Sequence, residues 1–319
     1  MKLNQNQRKA LSISIKVLVF GATLYYLYVK LIQEDDLKNS LSLFKFQFQN
    51  LWILVPVILL MFINWSSEAL KWKILISTFE KISFRNSFAA VWSGVTINNW
   101  IPNRMAEFAG RVLFISPQNR GKAIVSTFAG NLAQMQMTLF FGAIALFFFI
   151  EINGELLWLL AIAVLIINLL VLLFYFRMGL FVNLIRRISF LEFLLKYIEV
   201  LEQFSNKILL KIIVLSLIRY LVYSTQYVLL LLLFKVDAEI SILFFGVSLI
   251  FLFQTFIPSV LLTDIGVRGA TVLYVFEGFS LNVAGLLAAA YSLWLINLLF
   301  PSFFGALFIL VKKKRTGPQ

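Results

Sequence analysis

Apolar residues recur along this chain in long, nearly unbroken runs rather than in short alternations. Runs of about 20 residues or more match the thickness of a bilayer core, at about 1.5 Å of rise per helical residue. Six such runs predict full membrane spans, at about 11–32, 51–76, 123–150, 154–176, 211–234 and 281–311. The first is longer than a signal-peptide core and has no clear small-residue cleavage site, so it reads as a mature span. Runs of this length exclude a β-barrel, whose strands alternate over about 10 residues. Pro301 predicts a kink in the last span. Residues 177–210 are amphipathic and basic, and read as a helical connector on the membrane surface. The expected fold is an all-α polytopic bundle forming a single integral domain, with one half at about 51–150, the connector, and a second half at about 211–311.

Two shorter apolar regions interrupt this pattern, and each carries the same phrase. The first reads Ile101-Pro102-Asn103-Arg104-Met105-Ala106-Glu107, with Arg111 four residues after the acid. The second reads Ile257-Pro258, then Asp264-Ile265-Gly266-Val267-Arg268. The arm after Pro102 has roughly 15 residues and the arm after Asp264 roughly 12, too few to cross a core of about 30 Å. Both regions are therefore expected to be re-entrant hairpins, broken at Pro102 and Pro258.

Charge decides their sense. Of the 28 basic residues, 20 fall in one alternating set of loops and ends, against Lys30, Lys38, Lys45 and Lys235 in the other. Cytoplasmic loops collect Lys and Arg, so both termini are expected in the cytoplasm. The first hairpin then enters from the cytoplasm and the second from outside, as in an inverted-topology repeat with a site near the midplane. The net charge of +13 is distributed as topology requires, which argues against nucleic acid as a partner. Membrane lipids, anionic ones above all, are the expected partners, with a homo-oligomer or an envelope-assembly enzyme as further possibilities.

The remaining four basic residues are Arg104, Arg111, Arg219 and Arg268, all within apolar surroundings. Ionisable groups at that depth are costly and mark function. Glu107/Arg111 and Asp264/Arg268 are i,i+4 pairs, acid first, on one face of a helix. Helix starts near the two prolines would turn N-termini inward, where an anion is favoured. Arginine forks also grip phosphate. Arg104, Arg111, Arg268 and Arg219 are thus candidates for binding a lipid head group, with Glu107, Asp264 and Glu68 as counter-charges or proton relays. Plainer readings stand beside these. Each pair could brace a broken helix, Arg104 and Arg219 could snorkel, and Glu68 could simply pair with Lys71. Asn131 and Gln134 suit interhelical hydrogen bonds. With no cysteine and no histidine in the chain, and no nucleophile–base arrangement, no enzyme activity and no cofactor is expected.

At these motifs the chain resembles the membrane part of lysylphosphatidylglycerol synthases, a family also called flippase-like. The matching residues are Pro102 to Glu107 with Arg111, and Asp264 to Gly269. Asn64 to Trp72 is also similar, and the likeness extends over roughly residues 10–311. Many members carry Gly where Ala106 stands, and an acid where Gly269 stands. The resemblance implies an inner-membrane protein that binds or moves a lipid. It does not imply aminoacyl transfer, which in the two-part enzymes belongs to a separate soluble domain. A non-transporting accessory of envelope assembly and a membrane-embedded transferase are the competing expectations.

Overall fold

A computed structural model describes residues 48–100, 106–153, 156–257 and 261–315, with Gly21 and Tyr25. The expected first span, apart from Gly21 and Tyr25, and residues Pro102, Arg104 and Pro258 lie outside these residues. Within them the chain is helical, with no strand. A 3-10 turn, Phe48–Ile53, leads into α1, Leu54–Ile76. Next come α2, Phe84–Trp100, and the short α3, Ala106–Val112. Two long apolar helices follow, α4 at Arg120–Asn153 and α5 at Leu156–Phe176. The connector comprises α6, Met178–Arg186, and α7, Leu195–Ile198, joined by 3-10 turns. The rest is α8, Asn206–Leu233; α9, Ile240–Phe256; α10, Leu261–Val275; α11, Val283–Trp294; and α12, Phe300–Arg315.

Five helical stretches among the described residues are long and apolar enough to cross a membrane: Asn50–Ile76, Pro117–Phe149, Leu157–Phe176, Asn206–Leu233 and Val283–Lys312. They coincide with the second to sixth runs read from the sequence. Helix α5 shows why such runs carry little polar–apolar periodicity. It is apolar all round, and Leu159, Leu165, Leu169 and Leu173 point outward, as expected of a face solvated by lipid rather than water.

Side-chain pairings fix the directions. Lys71 meets Ser216, Glu68 meets Arg219, and the Val57 carbonyl meets Gln226. Partner numbers fall along α1 as they rise along α8, so these helices are antiparallel. Helix α2 folds back along α1, with the Ser87 hydroxyl donating to the Ala69 carbonyl at 2.6 Å. Helix α3 then packs on α2 so closely that a Cβ on Gly110 would sit 2.4 Å from the Ser93 carbonyl oxygen and 2.5 Å from the Gly94 backbone. Small residues allow this approach between helices in lipid, where dispersion contacts replace the hydrophobic effect. Helices α9 and α10 form the second hairpin, with Phe276 against Gly246 and Gln254 Nε2 donating to Thr271 at 3.0 Å.

Each hairpin is tied at its base. Ahead of α2, the Glu80 carboxylate accepts from the Ser116 hydroxyl, the Ser116 N–H (3.1 Å) and Asn119 Nδ2 (2.8 Å). After α10, Asn282 Nδ2 donates to the carbonyls of Phe234 (2.9 Å) and Lys235 (3.0 Å), which precede α9. Its Oδ1 caps α11 by accepting from the Gly285 N–H. Each hairpin therefore enters and leaves at one level, as the arm lengths require. Because α1 leads into the first and the antiparallel α8 into the second, the two hang from opposite ends of the bundle.

The last span departs from the reading in one respect. Its irregularity is a π-helical turn, Leu295–Leu299, placed just before Pro301. Proline lacks the N–H that would bond the Asn297 carbonyl four residues back, and the ladder rearranges over that turn. The connector is amphipathic as expected: Val182, Ile185, Val200 and Leu201 are buried, while Leu180, Leu184, Phe190 and Phe193 face outward.

Candidate functional site

Glu68 lies on α1 about 12 Å from its C-terminal end, at about 1.5 Å per residue. Its carboxylate meets three cations from three elements. Lys71 Nζ is 2.7 Å away on the next turn of α1, Arg111 Nη2 comes from α3 at 2.9 Å, and Arg219 Nη1 comes from α8 at 2.9 Å. Arg111 also pairs with Glu107, one turn back on α3. Glu68 therefore does more than neutralise Lys71, and the plain pairing expectation is corrected on this point. A carboxylate this enclosed is tolerable only when its lone pairs are filled by charged donors.

Exposure is graded along this chain of charges. Side chains of Lys71, Glu68 and Arg111 are 1%, 2% and 3% exposed, whereas those of Glu107 and Arg219 are 24% and 23% exposed. Among the described residues the cluster has three cations and two carboxylates, one positive charge in surplus. The cation that reaches open space is Arg219. It sits in the middle of α8, about 20 Å from either end.

Arg219 is held rather than mobile. Its Nε donates to Asn64 Oδ1 at 3.0 Å, and its guanidinium lies over the Trp65 ring, 5.3 Å from the centroid. The network continues through buried amides. Asn64 Nδ2 donates to Asn297 Oδ1 (3.3 Å), and Asn297 Nδ2 donates to Gln226 Oε1 (2.9 Å). Asn297 belongs to the π-helical turn. Such turns interrupt a helix often at functional positions, and here the turn presents an amide to the network.

Against this network lies a cavity of about 280 Å³. Helix α1 contributes Asn64 and Trp65, α4 Gln134 and Thr138, α8 Arg219 and Tyr223, and α9 Gln254 and Thr255. Aromatic stacks form its walls, Tyr220 on Phe141 at 4.6 Å and Tyr223 on Phe251 at 5.1 Å. A polar cavity at mid-helix depth places donors and acceptors where lipid supplies none. The second hairpin supplies part of its wall, and the first supplies Arg111 to the ion cluster behind Arg219.

The sequence-derived candidates are thus distributed unevenly. Glu68, Glu107, Arg111 and Arg219 come together. Arg268 Nε bonds Asp264 Oδ2 at 2.7 Å on α10. It lies within electrostatic reach of Tyr223, which lines the cavity, and of the buried Tyr227. The Asp264/Arg268 pair does not join the Glu68 cluster among the described residues. Arg104, Pro102 and Pro258 lie outside the described residues. Asn297, Gln254 and Thr255 were not singled out from the sequence. For Asn297 a signal existed: a lone amide in an apolar span, four residues before a proline.

Fold and site define a class, a polytopic helical membrane protein with a partly exposed, ionised polar centre among its spans. The chain belongs to the lysylphosphatidylglycerol synthase transmembrane-region family, whose model it matches over residues 13–305. No curated protein matches it.

Proposed function

We propose that this protein binds an anionic lipid head group in the Arg219 cavity and carries it between leaflets, acting as a flippase rather than an enzyme. One observation carries the reading: an ion cluster with a surplus positive charge, deep in the bundle, whose exposed cation faces a polar cavity. A structural brace has no need of a surplus charge or of an adjoining space. Arg219, backed by Arg111 and Lys71, favours a phosphate. Glu68 holds the three cations apart and in place. The hairpins reach the site from opposite ends of the bundle, an arrangement suited to opening it to one side at a time. The Asp264/Arg268 pair is the counterpart of Glu107/Arg111 in such an inverted repeat, and it would contact the lipid as the site opens.

Mass spectrometry of lipids retained by the purified full-length protein tests the binding step. Enrichment of anionic phospholipid over the surrounding membrane, reduced in Arg219→Gln, is expected. A lipid profile equal to that of the bulk membrane would defeat the proposal. The accessory reading differs in one readout: an envelope-assembly enzyme would co-purify stably, and the protein alone would move no lipid.

A further inference from the structure

The cavity's polar groups are specific enough to select among anionic lipids. This step rests on the proposed function, because it assigns the kind of head group that the same site takes. Arg219 is the cation of the described lining, and no carboxylate lines the cavity among the described residues. Glu68, which bonds Arg219 from behind, is almost wholly enclosed and already shared by three cations. The described lining therefore has charge to offer one phosphodiester and none to offer an ammonium group.

Three buried lining atoms carry no hydrogen bond among the described residues: the Trp65 indole N–H, Gln134 Oε1 and the Tyr220 hydroxyl. Trp65 is 5% exposed and lies under the Arg219 guanidinium. An unmet buried donor or acceptor is costly and uncommon in a native protein. The Trp65 and Tyr220 donors, with the Arg219 charge, suit phosphate oxygens, and the Gln134 carbonyl suits a hydroxyl. Thr138, Tyr223 and Thr255 add hydroxyls of their own to the wall. The volume of about 280 Å³, just below the range of about 300–1,000 Å³ for ligand pockets, admits only a small head group.

We infer that the cavity selects a phosphodiester lipid whose head group bears hydroxyls and no amine. Arg219 and Trp65 hold the phosphate, and Gln134 accepts from a head-group hydroxyl. A lipid carrying an aminoacyl cation is disfavoured, because its charge would stand beside the surplus of the ion cluster with no partner.

The full-length protein in nanodiscs can be challenged with three probes, and retention read by native mass spectrometry. These are phosphatidylglycerol, lysylphosphatidylglycerol and phosphatidylmethanol, a phosphodiester without hydroxyls. Phosphatidylglycerol should be retained about tenfold or more over the lysyl lipid, as like charge in a desolvated site demands. It should exceed phosphatidylmethanol by about fivefold, the worth of a hydrogen bond to a buried acceptor. Gln134→Leu should lower phosphatidylglycerol to the level of phosphatidylmethanol. Arg219→Gln should erase the discrimination against the lysyl lipid, and Arg219→Lys should keep it. The Arg219→Lys protein and the wild-type ranking suffice if Arg219→Gln does not fold. Equal or stronger retention of the lysyl lipid by the wild type overturns the selectivity and leaves anionic-lipid transport standing. Retention of none of the three removes the underlying reading as well.

Discussion

At the scale of single residues, Glu68 is where the bundle is most exposed to failure. It is the one described carboxylate shared by Lys71, Arg111 and Arg219. Neutralising it would leave the enclosed Lys71 and Arg111 and the partly exposed Arg219 facing Glu107 alone. Removing one partner from a buried ion network costs about 3–5 kcal/mol, because the other charges stay desolvated. Glu68→Gln should therefore destabilise the protein by about that much in thermal unfolding. Glu107→Gln, whose carboxylate is partly wet, should cost less. Equal effects of the two would refute the central position of Glu68. Part of this centre was legible in the chain. Asn64, Glu68 and Lys71 fall on one helical face, and four arginines stand out in apolar surroundings. The contacts from Arg111 and Arg219 were not legible, since they cross 43 and 151 residues of sequence. Spacing rules speak only within an element. Asn297 stayed hidden for a related reason: its role depends on a π-helical turn, which periodicity does not reveal.

Among the elements, the two hairpins set the architecture. Their breaks could be read from Pro102 and Pro258, and their shortness from arm length. The ties at their bases could not, because Glu80 and Asn282 are ordinary loop residues until their partners are seen. Glu80 sits outside the spans. Burial pushes its carboxyl up, but hydrogen bonds from Ser116 and Asn119 outweigh that and hold it below the ordinary value of 4.5. A carboxylate whose folded value is depressed stabilises the fold above its unfolded value and loses that contribution as pH falls through the folded one. Glu80→Ala should thus lower thermal stability at pH 7, and the gap from wild type should close as the buffer is taken below 4.5. A gap that persists in acid would mean that the carboxylate's charge plays no part. The α2–α3 contact gives a second test. A methyl on Gly110 would meet the Ser93 carbonyl at 2.4 Å, so Gly110→Ala should cost about 1–3 kcal/mol through overpacking. Gly179→Ala places its methyl no closer than 4.0 Å to Glu202. There the change should be neutral, or stabilising by up to about 1 kcal/mol, since alanine is the better helix former. Equal melting shifts for the two would contradict the close approach.

For the whole molecule, orientation and transport belong together. The antiparallel pairing of α1 and α8 places Ser77 and Ser241 at opposite ends of the bundle, both exposed. The chain contains no cysteine, so Ser77→Cys and Ser241→Cys each introduce a single thiol. A membrane-impermeant maleimide added to intact cells should label the second and spare the first. The reverse pattern would invert the topology drawn from the loop charges. The span count was legible because the bilayer imposes a length on each helix. The cavity was not, because it forms only where α1, α4, α8, α9 and the π-helical turn converge. Movement of lipid through that cavity is the most direct test of the proposed function. Purified protein in liposomes containing a fluorescent-tailed phosphatidylglycerol, quenched from outside by dithionite, measures it. Wild type should expose inner-leaflet probe well beyond the fraction quenched in empty liposomes, and Arg219→Gln should return quenching to that fraction. Identical quenching of wild-type, Arg219→Gln and protein-free vesicles would contradict the central claim.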